Sequence, residues 1–407
     1  MIQKIKNYYH LVVAILANLR FGFPSKRLTV IGVTGTDGKT TTVNLIYHML
    51  NKCGFNASMI SSVGAIINGK SYNVGFHVTN PTSWNLQKFI KMINKKKKGN
   101  ILILEVTSHA LDQYRNWGIN FKVGVITNIS REHLDYHKTY ENYVKAKAKL
   151  LKLSKAAVIN ADDQSFPILS KMKFNKLITY GLKNNSDVNF ENVNLRPSLP
   201  GKFNEYNFLA AVCAVKLLGL STEQIKEAIL DFKLPLGRFQ EIYSNNFKYI
   251  IDFAHTPNSF FQLLQSLRPM IKGRIIHVFG SAGKRDKEKR PEMGKISSMF
   301  SNVIVLTAED PRSEPIEKIN SDIEKGISNK FKLLDYKKYS KDKKMNIYFK
   351  INNRKEAINF AVSIAEREDL VLSTGKGHEE SMNLGHGEEQ WSEYNVAINA
   401  IKNHEKN

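Results

Sequence analysis

The sequence is poor in cysteine, in acidic residues and in long apolar runs, and each shortage excludes a class of protein. Only Cys53 and Cys213 occur among 407 residues, so neither a disulfide framework nor a thiolate metal cluster can form, and we expect a reducing, cytoplasmic setting. The apolar run over 11–19 is less than half of the ~20 residues that cross a bilayer. A transmembrane helix is therefore not expected, and the bulky residues after the run do not suit a signal-peptide cleavage site.

Basic residues are in marked excess. The 60 Lys and Arg against 37 Asp and Glu give a formal charge of +23, which favours anionic partners: nucleic acid, a membrane surface or a phosphorylated metabolite. With 42% hydrophobic residues the chain is too apolar to be disordered and long enough for more than one domain. Lys-rich stretches at 95–98 and 330–350 are expected to be solvated loops between elements.

Short runs rich in Val and Ile alternate with helical patterns, which predicts an α/β chain with parallel sheets. The first set has strands at 28–34, 101–106, 122–127 and 156–160, and helices at 40–50, 83–93 and 141–153. The second set has strands at 248–253, 274–280, 302–307 and 369–373, and helices near 257–267, 314–326 and 354–366. Pro235 and Gly237 follow a helix between the sets, so we expect domains over 28–236 and 237–407.

The first 27 residues form a separate segment. Their apolar positions recur at helical spacing, at Tyr8, Val12, Ile15, Leu16 and Leu19. We therefore predict an amphipathic helix whose apolar face packs on the domain that follows. A loose contact with a membrane surface is the alternative.

A glycine-rich loop over 32–40 reads Gly-Val-Thr-Gly-Thr-Asp-Gly-Lys-Thr and lies where a strand turns into a helix. Glycines there let backbone N–H groups converge on phosphate oxygens, and the helix N-terminus adds its positive dipole end. Lys39 would reach the outer phosphates and Thr40 would hold Mg²⁺. The loop predicts a P-loop ATPase domain, although its spacing is one residue longer than the usual pattern when counted from Gly32.

Together with this loop, further segments resemble the Mur ligase family, which forms amide bonds by activating a carboxylate with ATP. The matching segments, in the order of the family, are Glu-Val-Thr-Ser-His-Ala-Leu over 105–111 with Gln113 and Arg115, Thr-Asn-Ile-Ser-Arg-Glu-His-Leu-Asp-Tyr-His over 127–137, Tyr-Val-Lys-Ala-Lys over 143–147, Phe-Asn-Glu-Tyr-Asn over 203–207 and Asp-Phe-Ala-His-Thr-Pro over 252–257. The resemblance runs from about residue 28 to 399 and implies a P-loop parallel-sheet domain followed by a Rossmann-like domain.

Within the family the motifs match best the ligases that add the third residue of the peptidoglycan stem peptide to a muramoyl-L-alanyl-D-glutamate, the MurE type. The histidine-rich segment 133–137, the block 283–294 and Gly-Lys-Gly-His-Glu over 375–379 carry this match. The resemblance implies a magnesium-dependent, ADP-forming acid–amino-acid ligase of cell-wall biogenesis, needed for cell shape and division. Its steps would be an acyl phosphate, attack by the incoming amino group, and release of ADP and phosphate.

The resemblance also implies roles for individual residues. Lys39, Glu105, His133 and Lys147 would be catalytic, and two Mg²⁺ ions would be held by Thr40, Glu105, His133 and Lys147, the last as a carbamylated lysine. An uncarbamylated surface lysine on its helix is the alternative for Lys147. ATP would contact Gly35, Thr36, Asp37, Gly38, Lys39, Thr40, Thr41, Asn128, Asn204, Asn207, Arg238, Asp252 and His255.

The two remaining substrates have their own expected residues. The muramoyl peptide would lie against Thr79, Asn80, Thr107, Gln113 and Arg115, although Asn80 stands where the family usually has Thr. The amino acid would lie against Arg290, Glu309, Asp310, Pro311, Arg312, Gly375 and Glu379. The diaminopimelate-selecting ligases of the family carry Asp-Asn-Pro-Arg at this segment, so the resemblance implies that Arg312 pairs bidentately with a distal carboxylate, which L-lysine lacks. Asp310 replaces the Asn of the diaminopimelate-selecting motif and leaves the amino acid open, since a carboxylate favours an ammonium group.

Only about thirty residues precede the loop, where the family usually has about a hundred that grip the UDP group, so we expect a short form without that domain. Its acceptor would be UDP-linked, lipid-linked or free, and peripheral membrane contact would suit a lipid-linked one. Otherwise we expect a monomer with small-molecule substrates and no nucleic acid. The rival functions are a folylpolyglutamate-synthase-like or other poly-amino-acid ligase, a basic nucleic-acid-binding P-loop ATPase, and a silent partner subunit.

Overall fold

The computed structural model of the chain describes residues 2–75, 80–93, 100–183, 186–340 and 346–406, apart from the side chains of residues 2 and 4. The chain divides into two compact units. The first comprises Met1–Leu199 with Phe203–Lys233, and the second comprises Pro200–Lys202 with Leu234–Asn407. The predicted lysine run at 95–98 lies outside the described residues. No helix in the described parts of the chain is long and apolar enough to cross a membrane.

The first unit is built on an eight-stranded sheet. Its strands are β1 Thr29–Thr34, β2 Ala57–Ser61, β3 Gly64–Ile67, β4 Lys70–Tyr72, β5 Ile101–Glu105, β6 Phe121–Ile126, β7 Ser154–Asn160 and β8 Leu177–Tyr180. They lie in the order β4-β3-β2-β5-β1-β6-β7-β8, and β3 pairs antiparallel with both β2 and β4 while all other pairs are parallel. The central strands carry near-continuous Val, Ile and Leu because helices cover both faces of such a sheet.

Ten α-helices belong to the described part of the first unit, with a 3₁₀ turn at Pro24–Arg27. They are α1 Ile2–Phe21, α2 Lys39–Lys52, α3 Ser83–Ile93, α4 Ser108–Asp112, α5 Leu134–His137, α6 Tyr140–Lys152, α7 Phe166–Leu169, α8 Phe190–Val193, α9 Lys202–Lys216 and α10 Thr222–Ile229. The main core packs α2 and α9 against one face of the sheet, with Ile31, Val33, Ile103 and Val125 buried. The strand β1 thus lies at the centre of a rigid layer and delivers the glycine-rich loop to its carboxyl edge.

The second unit is built on a seven-stranded sheet. Its strands are β9 Gln240–Ser244, β10 Lys248–Ile251, β11 Ile275–Phe279, β12 Val303–Leu306, β13 Lys332–Leu333, β14 Ile347–Lys350 and β15 Leu370–Ser373, followed by a separate hairpin of β16 Ser381–Asn383 and β17 Glu388–Gln390. The order is β13-β14-β12-β11-β15-β10-β9, parallel except for β9. Its helices are α11 Pro257–Leu267, α12 Lys289–Phe300, α13 Ile316–Glu324, α14 Arg354–Ser363 and α15 Glu393–Lys406, and a 3₁₀ turn spans Arg268–Met270.

The predicted fold class is confirmed: a P-loop domain with a largely parallel sheet is followed by a second α/β unit. The prediction for the stretch 330–350 is wrong in part, because β13 and β14 lie within it. The prediction for α1 is also wrong in its orientation. The helix packs on the first unit, but Tyr8, Val12, Leu16 and Leu19 are exposed while Ala14, Ala17 and Asn18 are buried. Small side chains allow close packing, so the helix turns its narrow face inward.

Candidate active site

The glycine-rich loop between β1 and α2 fits tightly against its neighbours at two positions. A Cβ on Gly35 would overlap the Thr127 hydroxyl, and a Cβ on Gly38 would overlap the Asn207 side-chain oxygen. Gly38 also has a φ of +80°, a left-handed conformation that other residues adopt at a cost. The loop backbone can therefore lie directly on the ends of the strands, with the first turn of α2 directed outward for an anion.

The loop is fixed by the two residues that follow β6. Asn128 accepts a hydrogen bond from the Asp37 N–H at 3.0 Å and donates one to the Asp37 carbonyl at 3.1 Å. The Thr127 hydroxyl donates to the same carbonyl at 2.6 Å, and the Thr36 N–H donates to the Asn128 carbonyl at 2.8 Å. These bonds use both ends of the Asn128 amide, so Asn128 shapes the loop from outside it.

A buried carboxylate sits beside the start of α2. Thr40 donates from its hydroxyl to Glu105 Oε2 at 3.1 Å, and the Ser62 N–H donates to the same oxygen at 3.0 Å. The Thr40 and Ser62 hydroxyls are 2.9 Å apart. Because β1 and β5 run parallel with Val33 opposite Glu105, the carboxylate lies level with the loop. Sequence reasoning predicted Thr40 and Glu105 but missed Ser62, which follows a short strand and carries no motif.

These oxygens suit a hard cation such as Mg²⁺, which usually takes one or two protein ligands and completes its shell with phosphate oxygens and water. Within the described residues no group of three or more His, Cys, Asp or Glu side chains forms a metal cage. The site fits an ion that arrives with a nucleotide. The Lys39 ammonium lies close by and donates to the Thr36 carbonyl at 2.8 Å. The hydroxyl-bearing Thr41 is buried in the first turn of α2.

Lys147 is a buried lysine on α6 directed at the underside of the same loop. Its ammonium donates to the Gly35 carbonyl at 2.6 Å and lies 4.5 Å from the centre of the Tyr143 ring. Burial, assisted by the positive charge of Lys39, lowers the pKa of Lys147 well below its usual value. Lys147 is buried, so the surface-lysine alternative does not describe it.

Histidines from two motifs lie together beside Lys147. His133 has a left-handed backbone at the start of α5 and approaches the buried Glu132 carboxylate at 3.7 Å. The His109 ring lies 4.9 Å from that of His133 and 5.6 Å from that of His137. Burial, followed by the neighbouring His109, lowers the pKa of His137 to about 4, and its Nε2 lies 3.0 Å from the Ser108 hydroxyl. His133 is thus held at the edge of a rigid aromatic cluster.

The predicted acceptor residues fall into two kinds. The Asn80 side chain accepts from the Thr107 N–H at 2.6 Å and donates to the Glu105 carbonyl at 2.7 Å, and Thr107 caps α4 by accepting from Ala110 N–H. Both side chains are therefore used in shaping the end of β5. Gln113 and Arg115 are half-buried, and desolvation lowers the pKa of Arg115. Thr79 lies outside the described residues.

The predicted adenine contacts lie on α9. Asn204 and Asn207 are both buried, and Asn207 donates to the Asn204 side-chain oxygen at 3.1 Å. Because the Asn207 oxygen is the atom that a Cβ on Gly38 would overlap, α9 touches the glycine-rich loop itself. The first unit therefore gathers the loop, the buried carboxylate, the buried lysine and these amides at one edge of its sheet.

The second unit also places its predicted residues beyond the carboxyl ends of parallel strands, where ligands bind in sheets of this kind. After β10, the Asp252 carboxylate accepts from the Phe239 and Ala254 N–H groups, each at 2.7 Å. The Arg238 guanidinium stacks 4.3 Å from the centre of the Phe253 ring. His255 holds its ring by a 2.8 Å contact between Nδ1 and the Phe253 carbonyl. Asp252 thus fixes the turn that presents Arg238.

A buried lysine joins the two segments predicted to hold the amino acid. The Lys376 ammonium lies 3.0 Å from Asp310 Oδ1 and 2.7 Å from Glu379 Oε2. Asp310 also accepts from the Asn383 N–H at 3.0 Å. The carboxylate at 310 is therefore balanced by a cation of the chain itself. Beside it, burial raises the pKa of Glu309, and a Cβ on Gly375 would stand only 2.9 Å from Glu309 Oε2.

The two predicted arginines differ in accessibility. The Arg290 guanidinium is completely buried and pairs with both Glu314 oxygens at 2.9 and 3.0 Å and with Asp322 at 3.1 Å. In this arrangement it anchors the loop after β11 and presents no charge to a ligand. Arg312 is half-buried and has a left-handed backbone. The buried Pro311 sits just before it, and a Cβ on Gly283 would overlap its carbonyl.

A buried ion pair that sequence reasoning missed supports these segments. Arg354, which begins α14, pairs with Glu393 of α15 through its Nε at 2.9 Å and its Nη2 at 2.6 Å, and both side chains are fully buried. Arg354 also donates to the Ala308 carbonyl at 2.9 Å and the Thr374 carbonyl at 2.7 Å. Those two residues immediately precede Glu309 and Gly375. No sequence motif marks the pair, because its partners meet only in the folded unit.

Comparisons with known proteins agree with this arrangement. Residues 33–215 match the family of the Mur ligase middle domain, and residues 237–377 match the Mur ligase, glutamate ligase domain. The chain is 36% identical over 401 residues to UDP-N-acetylmuramoyl-L-alanyl-D-glutamate--2,6-diaminopimelate ligase 1 of Clostridium acetobutylicum, covering 93% of this chain and 79% of that protein. It is 37% identical over 380 residues to the corresponding ligase of Aquifex aeolicus, covering 88% and 74%.

Solved structures are similar across both units. A structure of a UDP-N-acetylmuramoyl-L-alanyl-D-glutamate--2,6-diaminopimelate ligase, 27% identical, covers 94% of this chain and 80% of its own length with a TM-score of 0.58. The folylpolyglutamate synthase of Mycobacterium tuberculosis, 16% identical, covers 90% of this chain and 92% of its own with a TM-score of 0.67. The second likeness concerns the fold alone.

Proposed function

The chain belongs to the Mur ligase family, and we propose that it is an ATP-dependent, ADP-forming ligase that adds an amino acid, meso-diaminopimelate, to the D-glutamate of a muramoyl dipeptide. The observation that carries the proposal is the cluster of Lys39, Thr40, Glu105 and Lys147 around one phosphate-type loop. The named function of the Clostridium and Aquifex relatives supplies the substrates. Peptidoglycan precursor synthesis, and through it cell shape and division, would be the role.

We propose that ATP binds with its phosphates on residues 35–41, where Lys39 would reach the outer phosphates. Thr40 and Glu105 would hold one Mg²⁺, and His133 with a carbamylated Lys147 would hold a second. The metal ions would neutralise negative charge between the phosphates and the attacking carboxylate. Asn204, Asn207, Arg238, Asp252 and His255 would serve the nucleotide. Since ATP is the substrate, the reaction belongs to the cytoplasm, and a monomer suffices for it.

The proposed carbamylation of Lys147 follows from its environment. A neutral amine can attack CO₂ and form a carbamate with loss of a proton, and burial lowers the pKa of Lys147, a shift in the direction of that form. The product is an anion beside His133, which is a better metal ligand than an ammonium group. We expect mass spectrometry of intact protein kept under CO₂ to find an added 44 daltons that Lys147→Met lacks.

In the reaction itself, the muramoyl D-glutamate would be held near Gln113 and Arg115, whose side chains are half-buried at the end of α4. The γ-carboxylate would attack the terminal phosphorus of ATP, giving an acyl phosphate and ADP. The amino group of the incoming amino acid would then attack the acyl carbon, and phosphate would leave after loss of a proton. Arg312 would pair with the distal carboxylate of diaminopimelate.

The experiment incubates the protein with ATP, Mg²⁺ and the UDP-linked muramoyl dipeptide, and offers meso-diaminopimelate, L-lysine or L-glutamate in separate reactions. ADP release and product mass are measured. We expect diaminopimelate alone to give both, and Lys39→Ala to abolish them. Lys52→Ala, at the exposed other end of α2, is the matched control and should retain full activity. An active Lys39→Ala protein would contradict the proposal.

A folate-adding ligase is the second candidate, and the similar fold of the Mycobacterium tuberculosis synthase favours testing it. The same assay with a reduced folate and L-glutamate distinguishes the two. Glutamate-dependent ADP release with folate, and none with the muramoyl dipeptide, would establish the folate reaction instead.

A further inference from the structure

The amino-terminal helix α1 is attached to the first unit by polar contacts. The Gln3 amide donates to the Tyr136 hydroxyl at 2.9 Å, and the Asn7 amide donates to Asp112 Oδ2 at 2.9 Å. Further along, the buried Asn18 donates to the Trp117 carbonyl at 2.8 Å. The helix therefore uses amide side chains where an ordinary surface helix would bury apolar ones.

Several large apolar side chains of α1 lie on the opposite side of the helix, while Leu11, Val13 and Ile15 are half-buried. More than half of each of six such side chains is exposed: Ile5, Tyr8, Tyr9, Val12, Leu16 and Leu19. At about 100° of rotation per residue these positions fall within an arc of roughly 100° on one side of the helix. The buried Ala14, Ala17 and Asn18 lie on the other side. The result is a continuous apolar stripe about 20 Å long on the surface of the first unit.

Aromatic rings also lie around the end of α1, where Phe21 itself falls on the packed side of the helix with Ala14 and Ala17. The Phe21 ring lies 5.5 Å from that of Trp84, and the Phe23 ring lies 6.2 Å from that of Trp117, both tryptophans being partly exposed. Cations accompany the rings: the Lys26 ammonium is 4.6 Å from the Phe23 ring centre and the Lys91 ammonium is 5.7 Å from the Phe21 ring centre. Aromatic rings flanked by basic side chains are typical of the boundary between lipid headgroups and acyl chains.

The charge of this part of the chain is strongly one-sided. The first 104 residues contain 14 Lys and Arg and a single acidic residue, Asp37. They supply 14 − 1 = 13 of the 23 net positive charges in about a quarter of the sequence. On α1 itself the charged side chains are all basic, and Lys6 and Arg20 are exposed beside the stripe. An anionic surface would be attracted to the exposed Lys6 and Arg20 beside the apolar side chains.

We propose that the exposed apolar stripe of α1 is a docking surface for an anionic lipid bilayer. The helix lies flat in the headgroup region, with its apolar side chains inserted and the basic side chains on phosphates. We favour lipid over a second copy of this chain as the partner, because two such basic faces would repel each other. The docking does not depend on the ligase reaction.

The test is flotation of the purified chain with vesicles of phosphatidylcholine alone or with about a third phosphatidylglycerol. We expect binding to the anionic vesicles at least about tenfold stronger than to the neutral ones, and a strong loss in about 0.5 M salt, because screening weakens attraction to lipid phosphates.

The double variant V12E/L16E should reduce vesicle binding by about a hundredfold, as each substitution removes an inserted aliphatic side chain. L230E is the matched control: Leu230 is strongly exposed in the same unit at the end of α10, and this variant should bind as the wild type does. Thermal unfolding checks the fold of each variant without reference to activity. Absence of anionic-vesicle binding by the wild type, or equal binding by V12E/L16E and L230E, would overturn the proposal. So would a dimer in light scattering that V12E/L16E dissociates, with no vesicle binding, since the surface would then join two copies.

Discussion

The buried pair of Arg354 and Glu393 gives the sharpest test of how the second unit is held together. Arg354 makes two hydrogen bonds to Glu393 and one each to the Ala308 and Thr374 carbonyls, so its guanidinium is surrounded without water. Burial alone would raise the pKa of Glu393, but the charge and hydrogen bonds of Arg354 hold it below its usual value. The substitution Glu393→Gln keeps the shape and removes the charge.

The expected loss of stability follows from the buried charge that the substitution leaves without a counterion. Arg354 stays charged and fully buried. One of its N–H donors, which had faced a carboxylate oxygen of Glu393, now faces the NH₂ group of Gln. Breaking a buried pair in this way costs about 3–5 kcal/mol, a large part of the roughly 5–15 kcal/mol that stabilises a domain. At about 2–4 °C per kcal/mol for a unit of this size, the melting temperature of the second unit should fall by roughly 6–20 °C. The KM for the amino acid should also rise, because Ala308 and Thr374 lead into its predicted segments.

Calorimetry and urea unfolding measure the loss. In a background with Trp84→Phe and Trp117→Phe, Trp391 becomes the single fluorescent reporter of the second unit, since the chain has three tryptophans. The control is Lys248→Met, which removes an exposed partner of Glu241 and should cost less than about 1 kcal/mol. Replacing Arg354 by Met together with Glu393 by Leu should recover part of the stability. A loss below about 1 kcal/mol in Glu393→Gln would refute the reasoning.

The remaining tests concern the first unit. Gly38→Ala should weaken ATP binding at least about tenfold by calorimetry, because its Cβ would meet Asn207, whereas Gly54→Ala, with the same φ near +80° but open space, should leave ATP affinity unchanged. Glu105→Gln should raise the Mg²⁺ concentration for half-maximal ADP release by about tenfold or more, and an unchanged requirement would remove Glu105 from the metal site. The pKa of His137 is lowered to about 4 by burial, so the unfolded chain binds more protons between about pH 6.5 and pH 4. The first unit should therefore lose up to roughly 3 kcal/mol as pH falls through that range, and His137→Asn should flatten the dependence of the urea midpoint on pH.

The phosphate-type loop was predictable because its chemistry is local. Gly38, Lys39 and Thr40 are consecutive, and they lie between an apolar run that forms β1 and the helix α2. Glu105 and Lys147 came only through the resemblance to a family, since nothing in their own surroundings marks them. The sheet order then brings them to the loop, because β5 lies next to β1 and α6 packs on β1 and β6.

Residues whose role depends on burial could not be ranked from the sequence. Arg290 and Arg312 look alike as basic side chains after strands, yet one is enclosed by Glu314 and Asp322 and the other is half-buried. Asp310 likewise looks like a free carboxylate until Lys376 is found beside it. Charge balance within a fold is a long-range property, and a linear pattern contains only the local spacing.

The helix α1 shows the same limit for packing. A helical period indicates that two faces differ, but it does not say which face the rest of the chain covers. Here the small Ala14 and Ala17 allow close approach, and the carbonyl of Trp117 gives the buried Asn18 a partner, so the face with small and amide side chains becomes the packed one. Hydrophobic burial alone would have favoured the reverse orientation, by about 25 cal/mol for each Å² of apolar surface. A helix that holds the less favourable orientation through specific polar contacts keeps its apolar stripe available for a partner outside the unit, which is why α1 carries an inference about docking and not about folding.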